Sequence, residues 1–323
     1  MAAPTNTLTG ETPNNGARED LENVIYRVAA EETPFSSNIG TTKATAITHD
    51  WQTESLATPD ATNAQLEGDD VSTLDAPNLT TRVKNICQIF RKTGGVSRTQ
   101  GVVKLAGRDD ELDRQKVLKG IELRRDMEAR FIGNFASVEE AGATTRKSAG
   151  ALAFVTSNDN RGAGGADGGY NTGTGLVAAA TNGTQRAFAE SQIKAVRATS
   201  FSNGGKATQA YMSGPLKQQF SAFTGIADIR KDVKGNNQAT IIAAADVYVD
   251  DFGELVLIPH AYGLTRDVLL IDPKMFAVAT LDGVKSTALG KSGDSDKFML
   301  TAEKTLVCRN QAASGAVADL LAA

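Results

Sequence analysis

The sequence predicts an α+β fold. Three observations carry the prediction. β-branched runs and amphipathic stretches are intermixed without regular βαβ alternation. Gly107 to Phe135 reads as one long, highly charged helix. Two strand-like runs flank a polar, turn-rich excursion from residue 52 to residue 78. The 323 residues, 41% hydrophobic and 22% charged, suffice for one large domain or two modest ones.

The first 17 residues are polar and rich in Pro, Asn and Gly, and read as a flexible arm. A short helix is expected from Arg18 to Glu31. Its Leu21, Val24, Ile25 and Val28 repeat on one face, and Pro34 stops it. "TTKATAITHDW" and "LTTRVKNICQIFRKTGGVS" are strand candidates.

The long helix follows. Over 29 residues it would span roughly 40 Å. Asp109, Asp110, Glu111 and Asp113 suit its positive end. Asp110–Arg114 and Asp126–Arg130 are spaced as i, i+4 ion pairs. Val117, Ile121, Met127, Phe131 and Phe135 share one face of the wheel, and Arg124 and Glu128 fall on that same face. These two charges are therefore expected to pair with each other or to meet polar groups across a contact.

Gly142 to Gly183 holds ten glycines and reads as flexible loop. Beyond it, "TQRAFAESQIKAVRATSF" and "PLKQQFSAF" read as helices. "ATQAYMSG", "DVLLIDP", "MFAVATL" and "KFMLTAEKTLVCR" read as strands, and "DVYVDDFGELVLIP" as a hairpin.

Charge patterning points to a contact surface. Between Ala44 and Thr81 there is no Lys or Arg, while Asp50, Glu54, Asp60, Glu67, Asp69, Asp70 and Asp75 lie there. The returning strand is basic, with Arg82, Lys84, Arg91, Lys92 and Arg98. Two readings stand: a solvated loop with ordinary surface charge, or an acidic tip that reaches a basic surface on another copy. Loops longer than about 12–15 residues are usually functional or disordered.

Little in the chain suggests chemistry. "LGKS" at Leu289 to Ser292 lacks the earlier Gly of a phosphate-binding loop. "GTGLVA" at Gly173 to Ala178 fits a dinucleotide fingerprint but has no strand before it. Adjacent Asp250 and Asp251 point to opposite faces of a strand and make no acid/base pair. His49 and His260 lack a second ligand at metal spacing, and Cys87 and Cys308 form no CxxC. No enzymatic activity, cofactor or metal is expected. No early apolar run marks a secretory signal and no stretch reaches membrane-spanning length, so no membrane association is expected. The net charge of −4 argues against strong electrostatic binding of nucleic acid.

The order of parts carries a resemblance. A short helix ending "EETPFSSNIG", a long hairpin, the run "IFRKTGGVSRTQGVVKLAGRDDELDRQKVLKGIELRRDMEARF", a variable insert and "YMSGPLKQQFSAF" resemble the major capsid proteins of tailed bacteriophages. Those proteins have the Hong Kong 97-type fold, and the podovirus-type major head proteins are most similar. Gly94, Gly95 and Arg98 depart from the usual pattern.

The resemblance implies an N-terminal arm and short helix (1–40) and an extended hairpin loop across a neighbouring subunit (41–97). It implies a peripheral domain with a spine helix (98–140), an axial domain (141–283) and a return to the peripheral domain (284–323). It further implies self-assembly into hexamers and pentamers of an icosahedral head around double-stranded DNA, in the virion, after synthesis in the bacterial cytoplasm. Scaffolding, portal and cement proteins are the implied partners, with weak non-specific DNA contact. Asp60, Glu67, Asp69, Asp70, Asp75, Arg82, Lys84, Arg91 and Lys92 are the expected inter-subunit contacts. An encapsulin-like nanocompartment of the same fold and an unrecognised enzyme are the alternatives. A Cys87–Cys308 bridge between copies is a further option, because Cys87 lies in the excursion.

Overall fold

The structure is a computed structural model that describes residues 32–68, 70–71, 74–103, 110–223, 246–291 and 293–322. The expected arm and the helix at Arg18 to Glu31 lie outside these residues, as do Asp69 and the start of the long helix stretch.

The long helix, α3 (Glu111–Ile132), follows the strands β1 (Gly40–Lys43), β2 (Thr48–Thr53), β3 (Thr81–Ile86) and β4 (Gln88–Ser97). Short helices α1 (Pro34–Asn38) and α2 (Arg98–Val102) precede and follow those strands. At 22 residues α3 is about 33 Å long. Asp110 is its N-cap, accepting from the backbone N–H of Leu112 at 2.7 Å and of Asp113 at 3.2 Å.

α3 lies on a four-stranded sheet ordered β1-β12-β13-β4, with β12 at Phe276–Leu289 and β13 at Ser295–Cys308. Burial along β13 alternates through Phe298, Leu300 and Ala302, as a one-sided strand requires. Gly94 sits opposite Phe298, and a Cβ there would lie 2.6 Å from that ring. The unusual glycine is thus the space a neighbouring Phe occupies. Arg98, the other departure, pairs with Asp294 at 2.9 Å across the same end of the sheet.

The buried stripe of α3 is Leu123, Met127 and Phe131 with Glu128 and Ile132. It is rotated from the expected face. Val117 is exposed because the buried apolar residues of α3 lie in its C-terminal half, and Phe135, also exposed, lies beyond the end of the helix. Of the two charges predicted to find polar partners, Glu128 does and Arg124 is exposed. The two expected i, i+4 pairs are also replaced. Arg114 meets Glu111, Asp126 meets Lys92 at 2.7 Å, and Arg130 donates to the carbonyls of Ser148 and Ala136. Arg114 takes an i, i+3 partner within the helix, whereas Asp126 and Arg130 take tertiary partners, since an exposed helical pair contributes only about 0.2–0.5 kcal/mol.

Beyond α3 come α4 (Ala151–Phe154), β5 (Asp159–Asn160), β6 (Gly169–Asn171), β7 (Leu176–Ala178), α5 (Glu190–Ser202), β8 (Gln209–Met212), α6 (Gly214–Ser221), β9 (Val247–Asp250), β10 (Gly253–Pro259) and β11 (Val268–Ile271). With β14 (Gly315–Val317), five of these strands make a six-stranded sheet ordered β5-β14-β11-β8-β10-β9. Its central strand β11, Val-Leu-Leu-Ile, is buried on both faces. Ile193 and Val196 of α5 and Leu216 and Phe220 of α6 pack with Leu255, Leu257 and Leu270.

Sheet membership crosses the boundaries drawn from the sequence. β4 belongs to the helix-backed sheet rather than to the excursion alone, and β12 enters that sheet at Phe276, before residue 283. The C-terminal β14 joins the six-stranded sheet. Strand pairing between distant segments decides these borders, and composition does not report it.

The glycine-rich stretch forms a short hairpin and bridged turns. "GTGLVA" forms the turn and second strand of the β6–β7 hairpin, which rules out a dinucleotide-binding turn. Asp319, buried and left-handed at φ 62°, fastens the stretch. Its carboxylate accepts from Gly162 N at 3.0 Å, Gly183 N at 2.9 Å and Arg266 Nη2 at 2.5 Å. A Cβ on Gly162 would stand 2.0 Å from the Thr184 carbonyl oxygen. Gly162→Ala is expected to lower stability by about 1–3 kcal/mol, since backbone must shift. A urea titration checks this, and an unchanged midpoint would show that the segment yields freely.

Candidate assembly interface

The loop between β2 and β3 stands on an anchored stalk. β2 and β3 form an antiparallel ribbon of six residue pairs, about 20 Å long. Trp51 packs near Phe154, with ring centroids 6.1 Å apart, and with Val83 joins the main core. At the base, buried Asn85 donates to the Leu306 carbonyl at 2.7 Å and accepts from Ala149 N at 2.9 Å. Lys84 meets Glu139 at 3.0 Å.

Above that base the loop has no regular element among its described residues and is exposed almost throughout. Leu56, Leu66, Val71, Leu74 and Leu79 are each 76–86% exposed. Charge analysis alone missed these residues. Their signal in the sequence is weak: single apolar residues at irregular spacing in a polar stretch. Scattered exposed leucines are ordinary, but several on one projecting loop mark a contact surface.

The structure divides the expected contact residues. Arg82 pairs with Asp50 across the ribbon. Lys84 is taken by Glu139, and Lys92 by Glu122 and Asp126 of α3. These three cations each have an ion-pair partner within the chain. Asp60 accepts from the backbone and hydroxyl of Thr62, which hold its carboxyl below the usual range. Glu67 and Asp75 are exposed on the loop with Asp70, and Asp69 lies outside the described residues. Arg91 is exposed and has no ion-pair partner among the described residues.

A second polar centre joins the parts. Glu128, fully buried on α3, accepts from Phe35 N at 2.6 Å and Ser36 N at 2.9 Å at the start of α1. The Ser36 hydroxyl adds a third bond, and His260 Nε2 lies 2.9 Å from the same carboxylate. His260 follows β10 of the six-stranded sheet. One carboxylate thus links the "TPF" helix, the long helix and the second sheet. The anion also sits at a helix N-terminus, where backbone N–H groups favour it.

Both thiols are interior. Burial pushes the Cys87 thiol up to about 11, and it pushes Cys308 up as well. Neither is placed for a bridge between copies. Assembled particles on non-reducing gels are expected to give monomer only, and a covalent ladder would contradict the buried placement. Among the described residues no group of His, Cys, Asp and Glu is arranged to hold a metal ion.

A long helix on a four-stranded sheet, a second mixed sheet and a stalked loop with bare apolar side chains define a shell protein of the Hong Kong 97-type capsid fold. Solved structures share it across nearly the whole chain. The cyanophage A-1(L) capsid matches with TM-score 0.65 at 10% identity, covering 97% of this chain and 99% of that one. The capsid of a native GTA particle matches with TM-score 0.59 at 13% identity, covering 98% and 100%. The chain belongs to the SU10 major capsid protein family, whose model matches residues 3–321. It is 28% identical to the major capsid protein of Escherichia phage Phieco32, over 98% of this chain and 97% of that protein. It is therefore a structural protein of the virion, a tailed-phage major capsid protein that forms the oligomeric head shell.

Proposed function

We propose that the chain assembles as hexamers and pentamers of an icosahedral head around double-stranded DNA, with its β2–β3 loop lying across a neighbouring copy. The observation that carries this reading is the loop itself. It presents five bare apolar side chains and carries acids without any base. Its stalk, by contrast, is packed and hydrogen-bonded, so the loop is held out in one direction. Apolar burial at the contact supplies affinity, and charge sets register.

The helix-backed sheet serves as the peripheral domain and the six-stranded sheet as the axial one. Contact with DNA is weak and non-specific, in keeping with the net charge of −4. Scaffolding, portal and cement proteins are its candidate assembly partners, and synthesis takes place in the host cytoplasm. Changing both Asp69 and Asp70 to Lys tests the loop contact. Particle counts by electron microscopy are expected to fall several-fold, and shells at normal yield would remove that pair from the interface.

A further inference from the structure

The glycine-rich stretch leaves the six-stranded sheet through a narrow join. β5 is an edge strand of two residues, and among the described residues it pairs with β14 alone, Asp159 opposite Ala316 and Asn160 opposite Val317. So short a ladder opens easily, and the side chains around it decide how firmly the join holds. Four carboxylates gather there, Asp159, Asp167, Asp267 and Asp319, with the guanidiniums of Arg161, Arg186 and Arg266.

The inner side of this cluster is fully engaged. Asp319 has Arg266 and the backbone N–H groups of Gly162 and Gly183. Asp267 accepts from Asp319 N at 3.3 Å, and Arg186 donates to the carbonyls of Asn160 at 2.6 Å and Ala318 at 3.4 Å.

The outer side is short of donors. Arg161 Nε touches both Asp159 and Asp167, but its single N–H can point at only one of them. It donates to Asp167 at 2.9 Å. Asp159 Oδ2 lies beside the same nitrogen, is buried, and accepts no hydrogen bond among the described residues. The Asp159 and Arg161 side chains are 12% and 10% exposed, so water does little to separate the two like charges. A proton on Asp159 removes both faults, because its O–H can donate to the Asp167 carboxylate. Burial, with the hydrogen bond to Asp167, pushes the Asp159 carboxyl up to about 6, and the bonds from Asp159 and Arg161 hold Asp167 below the usual range.

We infer that Asp159 and Asp167 share one proton, and that this proton latches the glycine-rich stretch to the edge of the six-stranded sheet. With the proton on, an O–H···O bond joins the sheet at Asp159 to the stretch at Asp167. With it off, two anions compete for one N–H and the join slackens. The proton is exchanged with water, and no other covalent bond changes.

The folded chain holds the Asp159 proton more tightly than an unfolded chain, in which Asp takes it up at about 3.9. The latch is therefore slack above about pH 6 and tightens as the pH falls towards about 4. Asp267, pushed up by burial, acts in the same sense. Asp167 acts in the opposite sense, but only below the usual carboxylate range.

Hydrogen exchange of the unassembled full chain reads the latch. After correction for intrinsic rates, protection of residues 162–183 relative to α3 should rise about tenfold from about pH 7.5 to about pH 5. Asp159→Asn supplies a donor at every pH. It should be protected in both conditions and should have a higher urea midpoint than the parent at about pH 7.5. Asp167→Asn, on the exposed side of the pair, should cut the response to below roughly half. Where Asp159→Asn fails to fold, the response of Asp167→Asn decides. Equal protection of the parent in the two conditions would overturn the latch, and so would a full response in either variant.

Discussion

A chain in which residues 54–80 are replaced by a two-residue Asn-Gly turn is expected to stay folded and to form no shells. The ribbon of β2 and β3 already has the antiparallel register that such a turn closes. The removed side chains have little packing to lose, since the five apolar ones are at least 76% exposed. Shortening the loop changes closure entropy by only about 1–2 kcal/mol, and in the stabilising direction. Thermal unfolding of the unassembled chain should therefore be unchanged or slightly raised. Assembly should fall below detection by electron microscopy, because each copy loses its apolar contact with a neighbour. Shells at normal yield would mean that the loop is solvated surface after all.

Glu128→Ala should have the opposite profile, damaging the fold before assembly is reached. The carboxylate is fully buried and satisfies the Phe35 and Ser36 backbone N–H groups, the Ser36 hydroxyl and His260 Nε2. Removing it orphans three donors at once and takes away the partner of His260 Nε2. Each buried donor left unsatisfied costs about 1–3 kcal/mol, so a loss of several kcal/mol is expected. Against a typical total of about 5–15 kcal/mol, that loss is a large share of the fold's stability. Glu128→Gln keeps the shape and one acceptor oxygen, so it should fall between the two. Urea midpoints of the three chains in the unassembled state give the order. A Glu128→Ala chain as stable as the parent would show that α1 and His260 are held by packing alone.

Much of the architecture is legible in the sequence because it is written locally. The β4 and β13 runs, the β9–β10 hairpin and the helices α5 and α6 all follow from alternation, turn residues and helical spacing. The buried face of α3 is not local. A wheel finds an apolar stripe, but the sheet beneath decides how far it turns, so Val117 is left outside and Leu123 buried. Glu128 and His260 are 132 residues apart, and nothing in either neighbourhood foretells the other. The glycines from 142 to 183 suggest flexibility by composition. Their role, seen at Gly162, is close approach of backbone to backbone, which composition cannot distinguish.

The interface was half legible. The acidic block between Asp60 and Asp75 is plain from charge alone, but a charge pattern does not say which partner each cation has. Lys84 and Lys92 are committed to Glu139, Glu122 and Asp126 within the chain. Arg91 is exposed and has no ion-pair partner among the described residues, and the place of β4 at the sheet edge follows from sheet order. The exposed leucines could be suspected only after the loop was seen to stand away from any core.

The central claim is that this chain builds a closed head shell through its stalked loop. A cryo-electron microscopy reconstruction of particles assembled from the full-length chain tests it most directly. The account predicts closed shells in which residues 54–80 of every copy lie ordered against an adjacent copy, with Leu56, Leu66, Leu74 and Leu79 covered. Closed shells in which that loop projects bare into solvent would contradict it.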